Sequence, residues 1–121
     1  MPTLLLCNLP PEKRAAVWGI AIQCGCRCVT VEKEQFGSTL AQILADEPGG
    51  APPDQPFTEE LLVLSGLSDQ QMDTLLTFLR QKRIFIALKA VGTPTNAAWT
   101  VQKLYGELCR ERAAFARRDN K

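Results

Sequence analysis

Short polar stretches follow the apolar runs of this 121-residue chain, at the points where strands are expected to end. In open α/β sheets ligands bind outside the carboxyl ends of the strands, so these stretches are the first place to look for a site. The candidate ligand-binding residues are Asn8, Ser65, Gly66, Lys89, Thr93, Thr95, Asn96 and Trp99. Their amide, hydroxyl and ammonium groups would stand beside helix starts and suit an anion, with Lys89 as the positive charge. In the alternative interpretation, the threonines and Asn96 only cap the last helix, and Lys89 reaches backbone carbonyls or solvent.

The common catalytic motifs are missing from the chain. It has no histidine, which removes the commonest general base and the Ser-His-Asp arrangement. It also has no Gly-rich phosphate loop, no dinucleotide fingerprint and no pair of carboxylates at a strand end. We therefore assign no catalytic residue, no metal ligand and no cofactor, and we favour a binding module over an enzyme. An enzyme would use Lys89 as base or nucleophile, as a desolvated lysine can.

Three of the five cysteines are clustered as Cys24-x-Cys26-x-Cys28. Thiolate metal sites and redox motifs usually space their cysteines as Cys-x-x-Cys, which this run does not match. A free cysteine behaves as a small buried hydrophobic residue, and this interpretation is favoured. Metal binding and redox chemistry remain the alternatives.

Four strands and four helices are predicted in alternation. Apolar runs indicate strands at residues 3–7, 61–64 and 84–88, and a less apolar run at residues 26–32 indicates an edge strand. Pro11 opens the first helix and Gly25 ends it. The fourth strand ends near Lys89, and the last helix begins near Asn96.

Local signals place the remaining elements. Ser38 is expected to cap a short second helix, and Ser68 with Gln71 forms a capping box at the start of the third. Residues 46–57 hold four prolines and two glycines, which predicts a mobile loop. The polar tail at residues 117–121 is expected to fray, and no internal repeat is detected.

Alternating strands and helices are typical of an α/β fold, here a single domain over residues 1–121. We expect a small doubly wound, flavodoxin-like or Rossmann-like domain with a four-stranded, mostly parallel sheet in the order 2-1-3-4. The alternative is a ferredoxin-like α+β fold with an extra C-terminal helix.

Charge is uneven along the chain although the net charge is only +1. Residues 1–60 hold four basic and eight acidic residues, and residues 61–121 hold ten and five. Several cations, among them Arg80, Lys82 and Arg83, fall at expected helix ends, where the helix dipole favours them. Nucleic-acid binding is therefore not expected. No membrane span or signal peptide is recognised, which predicts a cytoplasmic protein with reduced thiols.

Two segments resemble a known family. Leu61-Leu62-Val63-Leu64-Ser65-Gly66 and Leu88-Lys89-Ala90-Val91-Gly92-Thr93-Pro94-Thr95-Asn96, followed by Trp99, resemble small bacterial proteins known only as a domain of unknown function. The resemblance spans about residues 61–108 and implies a bacterial source, but no activity, cofactor or catalytic residue.

Three functional hypotheses remain. The first is a non-enzymatic binding or regulatory module that holds a small anion, or a partner's acidic group, at the strand ends. The second is an interaction module, a homodimer that covers the exposed edge of an apolar fourth strand. The third is the enzyme that uses Lys89.

Overall fold

A computed structural model describes residues 2–119 of the chain, with side chains through residue 116. The elements are β1 (Thr3–Cys7), α1 (Pro11–Gln23), β2 (Arg27–Val31), α2 (Leu40–Leu44), β3 (Leu61–Ser65), α3 (Asp69–Gln81), β4 (Leu88–Val91) and α4 (Val101–Asp119). The predicted α/β alternation is confirmed. Of the predicted frayed tail at 117–121, residues 117–119 continue α4, and residues 120 and 121 lie outside the described residues. Within the described residues, no helix is both long enough and apolar enough to cross a bilayer.

The four strands form one mixed sheet in the order β2-β1-β3-β4, which confirms the predicted strand order. The outer pairs, β1 with β2 and β3 with β4, are parallel, but the central pair of β1 and β3 is antiparallel. Parallel neighbours need a crossover connection of a dozen or more residues, usually a helix. Between β2 and β3 the only α-helix is the five-residue α2, so the chain is free to return in the opposite direction. The expectation that all strand ends meet at one edge is therefore wrong.

The chain forms two compact units. The first comprises residues 1–32 and 58–93, and the second comprises residues 33–57 and 94–121. The whole sheet, α1 and α3 belong to the first unit, whereas α2, the proline-rich loop and α4 belong to the second.

The first unit contains a structural repeat that the sequence does not reveal. Its halves are β1-α1-β2 and β3-α3-β4, and corresponding positions lie 58 residues apart from the first strand to the end of the helix. The same offset relates the left-handed residues Asn8 (φ 62°) and Gly66 (φ 74°), and Gly25 (φ 72°) and Arg83 (φ 56°). The pairing of β1 with β3 is symmetric about Leu5 and Val63. An approximate two-fold axis through this pair therefore relates the halves.

Leucines of the central strands build the core of the first unit. Leu4 pairs with Leu64, and Leu6 pairs with Leu62, so all four side chains lie on one face of the sheet. This face forms one buried cluster with residues of both helices, among them Val17, Ile20, Leu75 and Leu79. Burial of one leucine side chain contributes about 2–3 kcal/mol. The cluster therefore fixes both helices on the same face of the sheet.

The helix ends of the first unit follow local sequence signals. Ser68 and Gln71 form the predicted capping box, in which each side chain accepts a backbone hydrogen bond from the other residue. Helix α1 ends as predicted at Gly25, which takes the left-handed conformation, and the Cys26 N–H donates to the Ala21 carbonyl at 2.8 Å. The end of α3 repeats this geometry, with Arg83 in the glycine position and Ile84 donating to Leu79. Both are Schellman motifs.

In the second unit two helix caps are not the predicted residues. Thr39, not Ser38, caps α2, because Thr39 and Gln42 form a complete capping box while Ser38 is buried. Thr100, not Asn96, accepts from the backbone of Lys103 in the first turn of α4. Asn96 instead opens a 3-10 turn that separates it from the helix.

The loop of residues 46–57 is held by aromatic and amide groups of its own unit. The Phe57 ring stacks between those of Phe36 and Tyr105, with centroid distances of 4.4 and 4.2 Å. The Gln102 side chain accepts from the Phe57 N–H and donates to the Gln55 carbonyl. The loop therefore has fixed anchor points despite its lack of regular structure.

Candidate anion-binding groove

The predicted site residues of the first unit lie at opposite ends of the antiparallel central strands β1 and β3. Ser65 and Gly92 are neighbours at the carboxyl ends of β3 and β4, because the Gly92 N–H donates to the Leu64 carbonyl at 2.8 Å. A Cβ at Gly92 would stand only 3.3 Å from the Ser65 side chain. Gly66 and Thr93 are the next residues along these two strands. The structure therefore brings Ser65, Gly66 and Thr93 to one edge.

Asn8 lies at the other edge of the sheet, because β1 runs antiparallel to β3. Its side-chain amide donates to the Glu59 carbonyl at 3.1 Å, and its backbone is left-handed at φ 62°. The length of β3 puts Asn8 about 15 Å from Ser65. Asn8 thus fixes the turn after β1 and does not join the predicted cluster.

Lys89 is the second residue of β4 and does not lie at its end, so its predicted position is wrong. The strand begins at Leu88, whereas the apolar run of residues 84–87 still belongs to the connection after α3. Lys89 pairs with Leu62 and therefore points to the helix-covered face of the sheet. Its ammonium nitrogen lies 3.5 Å from the Ile86 carbonyl, at the outer limit of a hydrogen bond.

The three remaining predicted residues belong to the second unit. Thr95 and Asn96 form the start of a 3-10 turn, and Asn96 is buried. The Trp99 ring lies 5.0 Å below the Lys103 ammonium, within the range of a cation–π contact.

A groove of about 540 Å³ lies between α3 and β4 on the first unit. We call it the α3–β4 groove. It is lined by Leu76, Leu79, Arg80, Arg83, Ile84, Phe85 and Lys89. Four of these side chains are apolar and three are cationic, and none is acidic. Its volume falls in the range of small-molecule sites, about 300–1,000 Å³.

The three cations of the groove have no anionic partner in the part of the chain that the structure describes. The ion pairs of Lys13 with Glu60 and of Glu107 with Arg110 include none of Arg80, Arg83 and Lys89. The carboxyl end of α3 contributes a partial negative charge of about half an elementary charge. The local balance therefore remains strongly positive.

Comparison of the two halves shows which features of this groove are specific to the second half. Three residues join α1 to β2, but six join α3 to β4. The three additional residues separate the carboxyl end of α3 from the start of β4 and bring Phe85 to the surface, where it is 75% exposed. By helix offset and strand register, the counterparts of Arg80, Arg83 and Lys89 are Ile22, Gly25 and Cys28. The fold is thus built in the first half without any of the three cations.

Arg83 has a backbone conformation that usually selects glycine. Its φ is 56°, and the equivalent residue of the first half is Gly25. A non-glycine residue in this conformation costs about 1–2 kcal/mol. An arginine at a strained position in the lining of a groove points to a role outside folding.

Lys13 binds the backbone of Phe85, one of the residues that line the groove. Its ammonium donates to both carboxylate oxygens of Glu60, at 2.7 and 2.8 Å, and to the Phe85 carbonyl at 2.6 Å. One side chain of α1 therefore ties the connection after α3 to the start of β3. The Glu60 carboxylate, the nearest acid along β3, is neutralised by this pair.

The cysteines of the first unit are held in their thiol form. Burial raises the pKa of Cys7 and of Cys28 to about 12, and it also raises the pKa of Cys24 and of Cys26. Nucleophilic and metal-binding chemistry needs the thiolate. Within the described residues, no group of three or more acidic or cysteine side chains is arranged to hold a metal ion.

Sequence reasoning found Lys89 but missed its partners in the groove. It assigned Arg80 and Arg83 to the helix dipole and placed Phe85 inside a strand. One signal was available, since Arg83 stands where a helix of this type usually ends in glycine.

Comparison with known proteins gives one match. The model of a family described as "Domain of unknown function (DUF3783)" matches residues 60–115. This segment includes all residues that line the α3–β4 groove and excludes the first half of the repeat. No curated protein and no solved structure matches the chain. The comparisons therefore assign no function.

Proposed function

We propose that the chain is a non-enzymatic binding module that holds an anionic ligand in the α3–β4 groove. One observation carries this proposal: Arg80, Arg83 and Lys89 line one groove and no described carboxylate pairs with them. Arginines bind phosphate and carboxylate groups through two parallel hydrogen bonds. Arg80 lies in the last turn of α3, and Arg83 follows the helix in its Schellman motif.

The expected affinity is moderate, because the cations are exposed to water. A hydrogen bond to a charged group contributes about 1.5–3 kcal/mol, and solvent screening reduces that value. Two or three such contacts, less the cost of association, correspond to a Kd in the micromolar to millimolar range.

Isothermal titration calorimetry with inorganic phosphate and citrate tests the proposal, with choline as a cation that should not bind. Arg80→Gln should weaken anion binding about tenfold. Lys82→Gln is the matched control, because it removes one positive charge from the same helix end. Lys82 is exposed and does not line the groove. Equal losses for both variants would mean that only the general field of the protein attracts anions. If no anion gives a heat of binding, the proposal is wrong.

Ligand binding at the cluster of Ser65, Gly66 and Thr93 stays a separate prediction. Lys89 stands three residues before Gly92 on β4, so the groove and the cluster are separated by about 10 Å along the strand. Ser65→Ala should therefore leave anion binding in the groove unchanged.

A homodimer is the second candidate function. The observation that favours it is that β4 is an edge strand in which Val91 is 44% exposed, and that Phe85 in the connection before β4 is 75% exposed. Light scattering at high protein concentration tests it, and a monomer would exclude it. The enzyme hypothesis lacks a second titratable group, because the described groove lining offers only arginines beside Lys89.

We also propose that the chain is a member of the matched family and is bacterial and cytoplasmic. The match to residues 60–115 supports the first of these statements.

A further inference from the structure

We propose that the ligand of the α3–β4 groove is a free amphipathic anion, in which a phosphate or carboxylate is carried on an apolar chain. This inference rests on the proposed function and names its ligand class. It follows from the apolar part of the lining, which a purely polar anion would leave exposed to water.

The groove lining combines four apolar side chains with three cationic ones, and the cations are exposed to solvent. Leu79 is buried, Leu76 and Ile84 are partly buried, and the Phe85 side chain is largely exposed. Leu76 and Arg80 are four residues apart on α3 and therefore lie on the same helix face. A ligand whose charged group meets Arg80 and Arg83 would thus lay its remaining atoms along Leu76 and Phe85.

The equivalent surface of the first half shows that this combination is not a property of the fold. There, Trp18 and Ile22 replace Leu76 and Arg80, so the apolar character is kept but the charge is lost. In the second half, apolar and cationic groups line one cavity together.

The size of the groove favours a small ligand over a polypeptide. A volume of about 540 Å³ is typical of a small-molecule site. A stable protein partner usually buries more than about 1,000 Å² in total, which a seven-residue lining does not supply by itself.

The test is a calorimetric titration of the full chain with inorganic phosphate, methyl, butyl and octyl phosphate, and uncharged octanol. Full burial of a methylene strengthens binding about fourfold, and half-burial in an open groove strengthens it about twofold. We therefore expect octyl phosphate to bind about 100-fold more tightly than methyl phosphate. Light scattering verifies that the ligand is monomeric at the concentrations used.

A pair of variants assigns the apolar contribution to the groove. Phe85→Ser should lower the affinity for octyl phosphate about fivefold and change the affinity for inorganic phosphate less than twofold. Phe115→Ser is the matched control, because Phe115 is 66% exposed but lies on α4, in the second unit. It should change neither affinity.

The outcomes separate this inference from the proposed function. Phosphate binding with equal affinity at all chain lengths would overturn the amphipathic ligand and leave the anion site. Octanol binding as tight as that of octyl phosphate would overturn the anion site itself, and no binding of any compound would overturn both. Salt-sensitive binding to phosphatidylglycerol vesicles without binding to monomeric octyl phosphate would assign the groove to a membrane surface and overturn the free ligand.

Discussion

Substitution of Arg83 by glycine is expected to stabilise the protein while it weakens ligand binding. Relief of the left-handed strain contributes about 1–2 kcal/mol. Glycine also gives the unfolded chain more freedom, which costs about 0.4–1 kcal/mol. The net gain in unfolding free energy is therefore about 0.5–1 kcal/mol. For a chain of this length, that corresponds to a rise in Tm of about 2–4 °C.

Two measurements on the same protein samples test both halves of this expectation. Chemical denaturation gives the unfolding free energy, and calorimetry with inorganic phosphate gives the affinity, which should fall about tenfold. The reciprocal change, Gly25→Ala, provides the control, because a Cβ at Gly25 meets no atom within 4 Å. It should lower the unfolding free energy by about 0.5–1 kcal/mol, the reverse of the same balance, and leave phosphate binding unchanged.

One result would refute the reasoning about strain. If Arg83→Gly lowers the unfolding free energy, then the arginine side chain stabilises the fold through its own contacts. Arg83 would then be a structural residue, and its conformation would say nothing about a ligand.

Three further changes follow from the contacts described above. Lys13→Met removes the bonds to Glu60 and to the Phe85 carbonyl, and should cost about 1 kcal/mol in chemical denaturation and weaken phosphate binding severalfold. An unchanged affinity would show that the connection after α3 holds its shape without Lys13. Gln71→Ala removes half of the α3 capping box and the bond to the Cys24 carbonyl, and should cost about 1–2 kcal/mol; a loss below 0.3 kcal/mol would contradict this role. Burial raises the pKa of Cys7 from 9.0 to about 12. Because the thiol ionises at a lower pH in the unfolded chain, the unfolding free energy should fall as the pH rises between these two values. The fall should be smaller in Cys7→Ala. Parallel alkaline profiles of the two proteins would refute that assignment.

Local features of the fold could be predicted because neighbouring residues determine them. Pro11 and Gly25 bound α1 as predicted, and Ser68 with Gln71 caps α3. Each of these signals acts over fewer than six residues. These local predictions therefore do not depend on the tertiary arrangement of the rest of the chain.

Strand direction could not be predicted, because it depends on a distant segment. The alternation of strands and helices predicts that the short α2 is a crossover helix, yet residues 33–57 belong to the second unit. The antiparallel pairing of β1 with β3 then moved Asn8 away from Ser65.

The groove was missed for a related reason. Residues 84–87 have the apolar composition of a strand, and only their pairing shows that β4 starts at Leu88. The same shift of register places Lys89 on the helix face, next to cations that the sequence attributes to a helix end.

The repeat of the first unit makes each half a template for re-engineering the other. The second half resembles the first half with a longer connection between helix and strand, and that connection supplies three of the seven residues that line the groove. Transplanting residues 82–87 in place of residues 24–26, together with Ile22→Arg and Cys28→Lys, would open a second groove at the two-fold related position. Such a bivalent chain would present two like-charged pockets on one sheet, and it should bind a ligand with two anionic groups more tightly than either pocket alone.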